Sequence, residues 1–225
     1  KLVTQGYLEG FYYKPRVDKP LLRKYSEGLV CLSACIAGEI PRAILADDMD
    51  KALSLTREYA DIYPDRLYLE LQSNGLPEQT KANNALLELA ETTGVPLVAT
   101  NDCHYLTADD AEAHEVLLCI QTQTTMDDPK RMRFGTHELY YKSIEEMEKP
   151  FAHVPEALAN TMRIAEQCNV ELDFGHHYFP VYKLPEGASL DSEFRRLAEE
   201  GLEKRLEKHP DRDTIDVQLY RDRLQ

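Results

Sequence analysis

Three residues that can bind a metal ion follow two apolar segments of the sequence. Asp102 and His104 come after the run 96–101, and Cys35 comes after the run 29–33. Both runs are typical of short buried strands. Because side chains two residues apart on an extended segment project to the same side, Asp102 and His104 are predicted to point at one centre. Carboxylate, imidazole and thiolate together are typical of a partial ligand shell for zinc or a similar divalent ion.

A structural role explains the same residues equally well on spacing alone. Asp-x-His is a common pair, Cys35 can be a small buried hydrophobic residue, and Asp102 can cap the following turn. Cys31 and Cys35 form an alternative Cys-x-x-x-Cys zinc pair, which is disfavoured because Cys31 lies within the predicted strand. At this point both the metal-binding and the structural interpretation stay open.

Two further residues are weaker candidates for the neighbourhood of this site. Glu70 lies near the end of another predicted strand and could reach the same cavity, although a single carboxylate on an alternating strand usually faces solvent. His114 falls on the apolar face of a predicted helix, where a half-buried, hydrogen-bonded histidine is more common than a metal ligand. Cys103 is predicted to pack on the side opposite to its neighbours, and Cys168 is predicted to lie in the core.

The elements that must position these residues alternate between strands and helices. Apolar runs predict strands at 29–33, 66–72 and 96–101, and periodic patterns with cap residues predict helices at 18–27, 40–47, 50–63, 77–94 and from 107 onward. Such alternation predicts an α/β fold of parallel strands with helices packed outside, in a barrel or an open sheet. The carboxyl ends of the strands then converge on one face, which is where Cys35, Asp102 and His104 are expected.

The remainder of the sequence is predicted to be mainly helical. A polar loop at 124–135 precedes predicted helices at 143–148 and 155–169. Residues 173–187, with Pro180 and Pro185, are extended and typical of a linker. A charged amphipathic helix follows at 190–207, and a further helix is predicted to begin within 214–225.

The composition predicts a folded, soluble intracellular protein. The chain has 225 residues, of which 43% are apolar, and this is enough for a substantial core. No apolar run is long enough to cross a bilayer, and no signal-peptide pattern is present. Five cysteines without framework spacing favour a reducing compartment. Because the sequence opens at Lys1 without a methionine, we expect it to be a fragment of a larger protein.

The net charge argues against a primary role of this chain in binding nucleic acid. The net charge is -14, from 40 acidic and 26 basic residues, whereas nucleic-acid affinity depends on lysine and arginine contacts with phosphates. Lys130, Arg131 and Arg133 form the exception, a small basic cluster. Ser33 has no convincing histidine and acid partners, and there is no glycine-rich phosphate loop, so that nucleophilic hydrolysis and a nucleotide-binding fold are not supported.

Several stretches of the sequence resemble the C-family bacterial replicative polymerases, the DNA polymerase III alpha subunits. The resemblance rests on residues 6–13, 28–35, 98–106, 155–161 and 200–203. These stretches occur in the right order and extend over essentially the whole chain.

The resemblance implies a domain organisation and a site. Residues 1–174 are identified as the C-terminal part of a PHP (polymerase and histidinol phosphatase) domain, a distorted TIM-like barrel. Residues 175–189 are then a linker, and 190–225 are a helical lead into the palm region. The family's metal-ligand motifs match at Cys35, Asp102 and His104. Since some members lack this histidine, its presence favours a parent protein whose site still binds metal.

The resemblance also implies cofactors, activities and partners. In the family, this domain holds divalent zinc or manganese and acts in some members as a 3′–5′ exonuclease, while the polymerase centre uses magnesium. The implied partners are DNA, deoxynucleoside triphosphates, the sliding clamp and other replisome subunits, in the bacterial cytoplasm and away from membranes. Because the family's other ligands and the palm carboxylates fall outside this chain, the fragment alone is expected to be inactive and to hold metal weakly or not at all.

A different class of function is the alternative. In it the PHP part is a non-catalytic scaffold that stabilises the polymerase and docks a proofreading exonuclease subunit.

Overall fold

The computed structural model describes residues 1–211 and 213–224, in two compact units. The first unit spans residues 1–170 and the second spans residues 171–225. The elements of the first unit are α1 (Leu2–Leu8), α2 (Lys19–Lys24), β1 (Cys31–Leu32), α3 (Glu39–Leu45), α4 (Met49–Ile62), β2 (Leu67–Gln72), α5 (Pro77–Thr93), β3 (Leu97–Thr100), a 3-10 turn (Ala108–Asp110), α6 (Ala111–Thr122), α7 (Ile144–Phe151) and α8 (Pro155–Gln167).

The three strands form one parallel sheet in the order β1-β2-β3. In the register of the sheet, Cys31 is opposite Leu67, and Leu69 is opposite Leu97. The predicted α/β class, with parallel strands and outer helices, is therefore confirmed. The carboxyl ends of the three strands lie along one edge of the sheet, because all of the strands run in the same direction.

The core of the first unit lies between the sheet and the helices packed on it. The central strand β2 carries Leu69 and Leu71, which are 0% and 1% exposed. Helix α5 packs on β2, and α8 packs on β3, where it contributes the buried Asn160. The Asn160 side-chain amide donates to the Leu97 carbonyl over 2.7 Å, and thereby occupies a backbone acceptor of β3.

The local capping signals in the sequence are used as predicted. Asp18 accepts a hydrogen bond from the backbone of Leu21 at the start of α2. Thr107 and Asp110 form a capping box before α6. Helix α1 was not predicted, because its apolar side chains, such as Leu8, are largely exposed and give no regular period.

Gly94 ends α5 in the left-handed conformation, with φ at 73°, and a Cβ there would have no neighbour within 4 Å. We expect Gly94→Ala to lower the free energy of unfolding by about 1 kcal/mol, because alanine pays a conformational cost at positive φ without a clash. Gly94→Asn should cost less, since asparagine tolerates this conformation. Urea denaturation of the parent and the two variants measures the loss in free energy of unfolding for each substitution. Equal stability of Gly94→Ala and the parent would contradict the left-handed conformation of Gly94.

The second unit contains two helices in its described part, α9 (Leu190–Glu207) and α10 (Val217–Leu224). The bounds of α9 agree with the predicted helix, whose start is fixed by a capping box at Ser189. Arg221 of α10 donates to Glu203 of α9 over 2.9 Å. The domain boundaries drawn after residues 174 and 189 stay a prediction. Across residues 1–211 and 213–224, no helix combines the length and the apolar character that a membrane crossing requires.

Candidate metal site

Asp102 and His104 lie in the loop that leaves β3 at the carboxyl edge of the sheet. The Asp102 Oδ1 and His104 Nε2 atoms are 3.3 Å apart, and both side chains are about one-third exposed, at 35% and 29%. The prediction that they lie on an extended segment was wrong. Strand β3 ends at Thr100, and Asp102 has a φ of 58°, in the left-handed region that aspartate tolerates. A turn, rather than strand alternation, brings the carboxylate to the imidazole.

Backbone and side-chain hydrogen bonds fix this loop to a distant segment of the chain. The His104 amide donates to the Leu139 carbonyl over 2.7 Å. The Asn101 side chain donates to the Tyr140 carbonyl over 2.9 Å, and Tyr105 pairs with Tyr140 in an isolated parallel bridge. The position of His104 therefore depends on residues more than thirty positions further along the chain.

Asn74 is the buried side chain that joins these two segments. It is 0% exposed, and its amide donates to the carbonyls of Asn101, over 2.6 Å, and Glu138, over 3.0 Å. Its side-chain oxygen accepts a hydrogen bond from the Gln79 amide over 3.0 Å. All three polar positions of the Asn74 side chain are thus occupied, as the burial of an amide requires.

Glu70 belongs to a polar network along the ends of the strands. Its carboxylate accepts hydrogen bonds from Thr100, over 2.5 Å, and from Gln72, over 3.3 Å. Its backbone amide donates to the Ser33 hydroxyl over 2.8 Å. The expectation that a lone carboxylate on this strand faces solvent is therefore wrong. Within the described part of the chain, these bonds join Glu70 to Ser33, which follows β1, to Gln72 of β2 and to Thr100 of β3, and none joins it to the His104 loop.

The rings of Phe134 and His114 contact the His104 imidazole. The centroids of His104 and Phe134 are 4.7 Å apart in an edge-to-face arrangement, and those of His104 and His114 are 5.5 Å apart. His114 also contacts Tyr105 and stacks on Phe134. Burial and, to a smaller extent, the neighbouring His104 lower the pKa of His114. The neutral form of His114, which is the form that binds metals, is therefore favoured.

Cys35 lies in the loop between β1 and α3 and is half-buried. The loop is tight, since Ala34 has a φ of 65° and the Gly38 amide donates to the Cys35 carbonyl over 2.8 Å. Among residues 1–211 and 213–224, no three His, Cys, Asp or Glu side chains lie together closely enough to hold one ion. The structure brings Asp102 and His104 together with His114 beside them, whereas the three-ligand set that includes Cys35 stays a prediction.

The other cysteines have structural surroundings. Burial raises the pKa of the Cys31 thiol to about 11, which makes the thiol neutral and unreactive at pH 7 in the metal-free chain. Cys103 is exposed, and its predicted packing role is wrong because the turn at Asp102 directs the loop out of the strand. Cys168 is also exposed, at the end of α8, and is not part of the core.

The Asp102 and His104 pair fits two neighbouring ligands of a divalent ion. Ligand atoms roughly 2.0 to 2.1 Å from a tetrahedral zinc are separated by about 3.3 Å, and the observed separation is 3.3 Å. Carboxylate oxygen and imidazole nitrogen are donors for both zinc and manganese. Two donors do not complete a shell, and further ligands are required.

A loop that the sequence did not predict to be functional contacts the His104 imidazole through Phe134. Arg131, from the basic cluster, is 7% exposed in its side chain and forms an ion pair with Glu115 of α6. Arg131 is therefore buried in an ion pair within the protein, and its charge does not form part of an exposed surface for nucleic acid. A signal for this pairing is weak in the sequence, since a loop arginine and a helix glutamate sixteen residues apart have no fixed spacing.

The Arg131 hydrogen bond, together with its positive charge, lowers the pKa of Glu115 from its ordinary value of 4.5. A carboxylate with a lowered folded-state pKa adds stability above its unfolded pKa, and this stability is lost as the pH falls through the folded-state pKa. We expect Glu115→Gln to cost about 1 kcal/mol at pH 7, a difference that shrinks as the pH falls below 4.5. Urea titrations across this range provide the test, and a constant difference between the two proteins would contradict it.

Residues 1–74 of the chain match the PHP domain family. This match includes Cys35 and Glu70 and ends before the Asp102 and His104 loop. The parallel sheet with helices packed on it agrees with this class of domain.

The whole chain is similar to a segment of DNA polymerase III subunit alpha from several bacteria. It is 44% identical to the Thermus aquaticus protein over 233 residues, covering 100% of this chain and 18% of the relative. It is 42% identical to the Treponema pallidum protein, with 89% and 17% covered, and 35% identical to the Pseudomonas fluorescens protein, with 100% and 20% covered. The resemblance to the DNA polymerase III alpha subunits is thereby confirmed, and the chain spans about a fifth of the length of these relatives.

Proposed function

We propose that this chain is part of a bacterial replicative DNA polymerase and that Asp102 and His104 contribute two ligands to a divalent-metal site in its PHP part. The observation that carries the proposal is the 3.3 Å separation of the two donor atoms, in a chain similar over its whole length to polymerase alpha subunits. Cys35 is the proposed further ligand. The remaining ligands come from other segments of the parent protein.

The proposed chemistry of this site is phosphodiester hydrolysis of the 3′–5′ exonuclease type. A zinc or manganese ion held by these residues would supply activation of a water molecule and neutralisation of negative charge on the phosphate. Asp102 supplies an anionic oxygen donor, and His104 supplies a nitrogen donor. The rings of His114 and Phe134 pack against the imidazole of His104.

The polymerase activity belongs to the parent protein as a whole. In this proposal, DNA-templated nucleotidyl transfer occurs in the bacterial cytoplasm at a magnesium centre outside the chain. The parent then engages DNA, deoxynucleoside triphosphates, the sliding clamp and other replisome subunits. The net charge of -14 supports the proposal that other parts of the parent bind DNA, because an acidic segment is a poor primary surface for a polyanion.

A second candidate function is a scaffold that stabilises the polymerase and docks a proofreading exonuclease subunit. The acidic charge of the segment favours it, since a protein partner accepts an acidic surface more readily than DNA does.

Metal analysis of the full-length parent separates the two candidates. We expect the parent to bind zinc or manganese, and His104→Ala and His104→Gln to weaken zinc binding at least about tenfold and to reduce exonuclease activity in proportion. Primer extension should be retained in both variants. His177→Ala is the matched control, because this histidine is exposed and lies in the second unit.

The two candidates predict different results in this experiment. A full-length parent that binds no metal, together with a His104→Ala variant of unchanged stability and hydrolysis, would support the scaffold and refute the metal site. A folded full-length parent without primer extension would refute the polymerase assignment itself.

A further inference from the structure

Phe134 lies in an irregular loop between two anchor points. Three residues before it, Arg131 forms the ion pair with Glu115, and the Arg131 Nε donates to the Met126 carbonyl over 3.2 Å. Two residues after it, the Thr136 hydroxyl donates to the Asn74 carbonyl over 2.5 Å. Both ends of this short span are therefore attached to other elements, which limits the movement of the aromatic ring between them.

The first anchor connects Phe134 to the helix that carries His114. Glu115 follows His114 directly on α6, and the Arg131 side chain that reaches Glu115 is 7% exposed. Further along the same helix, Cys119 contacts Met126 of the loop, with 3.6 Å between their sulfur atoms. The loop is thus fixed against α6 at two places before it reaches Phe134.

The second anchor connects Phe134 to the segments that hold the His104 loop. Thr136 bonds to the backbone of Asn74, and the Asn74 side chain bonds to the Asn101 and Glu138 carbonyls. The same buried asparagine therefore fixes the backbone after Phe134 and the backbone before Asp102. Both segments are therefore hydrogen-bonded to one common residue, Asn74.

We propose that Phe134 is a positioning residue for His104, held in place by the Glu115–Arg131 ion pair on one side and by Thr136 on the other. The edge-to-face contact at 4.7 Å, with 65° between the ring planes, limits rotation of the imidazole. Asp102 lies at the Nε2 atom of the same ring. The ring is thereby held with this nitrogen beside the carboxylate, the arrangement that two neighbouring metal ligands require. The metal-binding consequence rests on the proposed function, whereas the ring contact does not.

The test compares Phe134→Leu, Phe134→Tyr, Arg131→Met and Arg131→Lys in the 225-residue chain with histidine-selective isotope labels. We expect Phe134→Leu to change the His104 Hδ2 and Hε1 chemical shifts, because the ring current of the phenyl group is lost. Arg131→Met should change the same signals without altering any aromatic residue. Phe134→Tyr should retain the parental signals, since it keeps the ring, and Arg131→Lys should restore them in part.

Two matched controls separate positioning from a general loss of structure. Phe174→Leu removes an aromatic ring that is 84% exposed, and Arg221→Met removes an exposed ion pair with Glu203. Neither should change the His104 signals, and the His176 and His177 signals should be unchanged in all of the Phe134 and Arg131 variants. His104 signals that are identical in Phe134→Leu and the parent, or that change equally in Phe174→Leu, would overturn the inference.

Zinc titration of the full-length parent gives the second measurement. We expect Phe134→Leu to weaken zinc binding by about tenfold, the size of effect seen when the support of a ligand is removed, with Phe134→Tyr close to the parent. A parent that binds no zinc, with His104 signals that still depend on Phe134, refutes the proposed function and upholds the positioning contact. Zinc binding of unchanged affinity in Phe134→Leu and Arg131→Met would overturn the positioning role.

Discussion

Leu69→Ala is expected to lower the free energy of unfolding of the first unit by about 4 kcal/mol, within the usual range for a large-to-small change at a fully buried leucine. Leu69 lies in the middle of β2, the central strand, and is 0% exposed. Strand β2 has a neighbouring strand on each edge, and α5 packs on one of its faces. Because these elements hold one another in place, they cannot move far enough to fill the cavity that the leucine leaves. The loss in free energy of unfolding is therefore close to the sum of two contributions, the lost transfer free energy of the leucine side chain and the cost of the unfilled cavity.

Urea denaturation followed by far-ultraviolet circular dichroism measures this loss. Leu8→Ala is the matched control, because Leu8 is 75% exposed and its truncation should change stability by less than about 0.5 kcal/mol. An effect of Leu69→Ala below about 1.5 kcal/mol would mean that β2 is not the centre of the core.

Asn74→Ala is expected to cost about 3 kcal/mol, because two carbonyls and one amide lose buried hydrogen-bond partners. The acceptors concerned are the Asn101 and Glu138 carbonyls, and the donor is the Gln79 side chain. Asn74→Asp retains the shape but has no amide to donate, so it should be at least as destabilising at pH 7. The aspartate variant therefore separates the loss of hydrogen bonds from the loss of volume.

The effect of Asn74→Ala should also extend beyond stability. Because Asn74 fixes the backbone before Asp102, we expect the His104 ring signals to change in this variant even when most of the chain is folded. Asn169→Ala is the control, since that side chain is exposed and bonds within its own turn to Glu166. Equal stability of Asn74→Ala and Asn169→Ala would show that the buried amide does not join the two segments.

Features with a local physical cause were the ones that could be predicted from the sequence. Helix α5 was located from Pro77 at its start and Gly94 at its end, each of which acts through its own backbone preference. The alternation of strands and helices likewise led to the parallel sheet, because short connections leave few other topologies. The two-residue strand β1 is shorter than predicted, since Ala34 turns the chain at a φ of 65° soon after its end.

The candidate site was predicted only in part, since long-range contacts decide its shape. Asp102 and His104 were expected to be close, and they are, but the cause is a turn and not an extended strand. Phe134, Arg131 and Asn74 gave no signal of a shared role, because the contacts between them and the loop depend on tertiary packing. No local period or cap connects residues so far apart in the chain.

The left-handed turn at Asp102 makes the two residues of the pair unequal as markers of metal binding. Aspartate is among the few side chains that accept a φ of 58°, so the turn alone favours Asp, Asn or Gly at this position. His104 is under no such backbone constraint, so histidine at this position is favoured by the proposed metal site and by the ring contacts with His114 and Phe134. Under the proposed function, retention of the histidine among related sequences is therefore the better marker of metal binding, because retention of the aspartate is also explained by the turn.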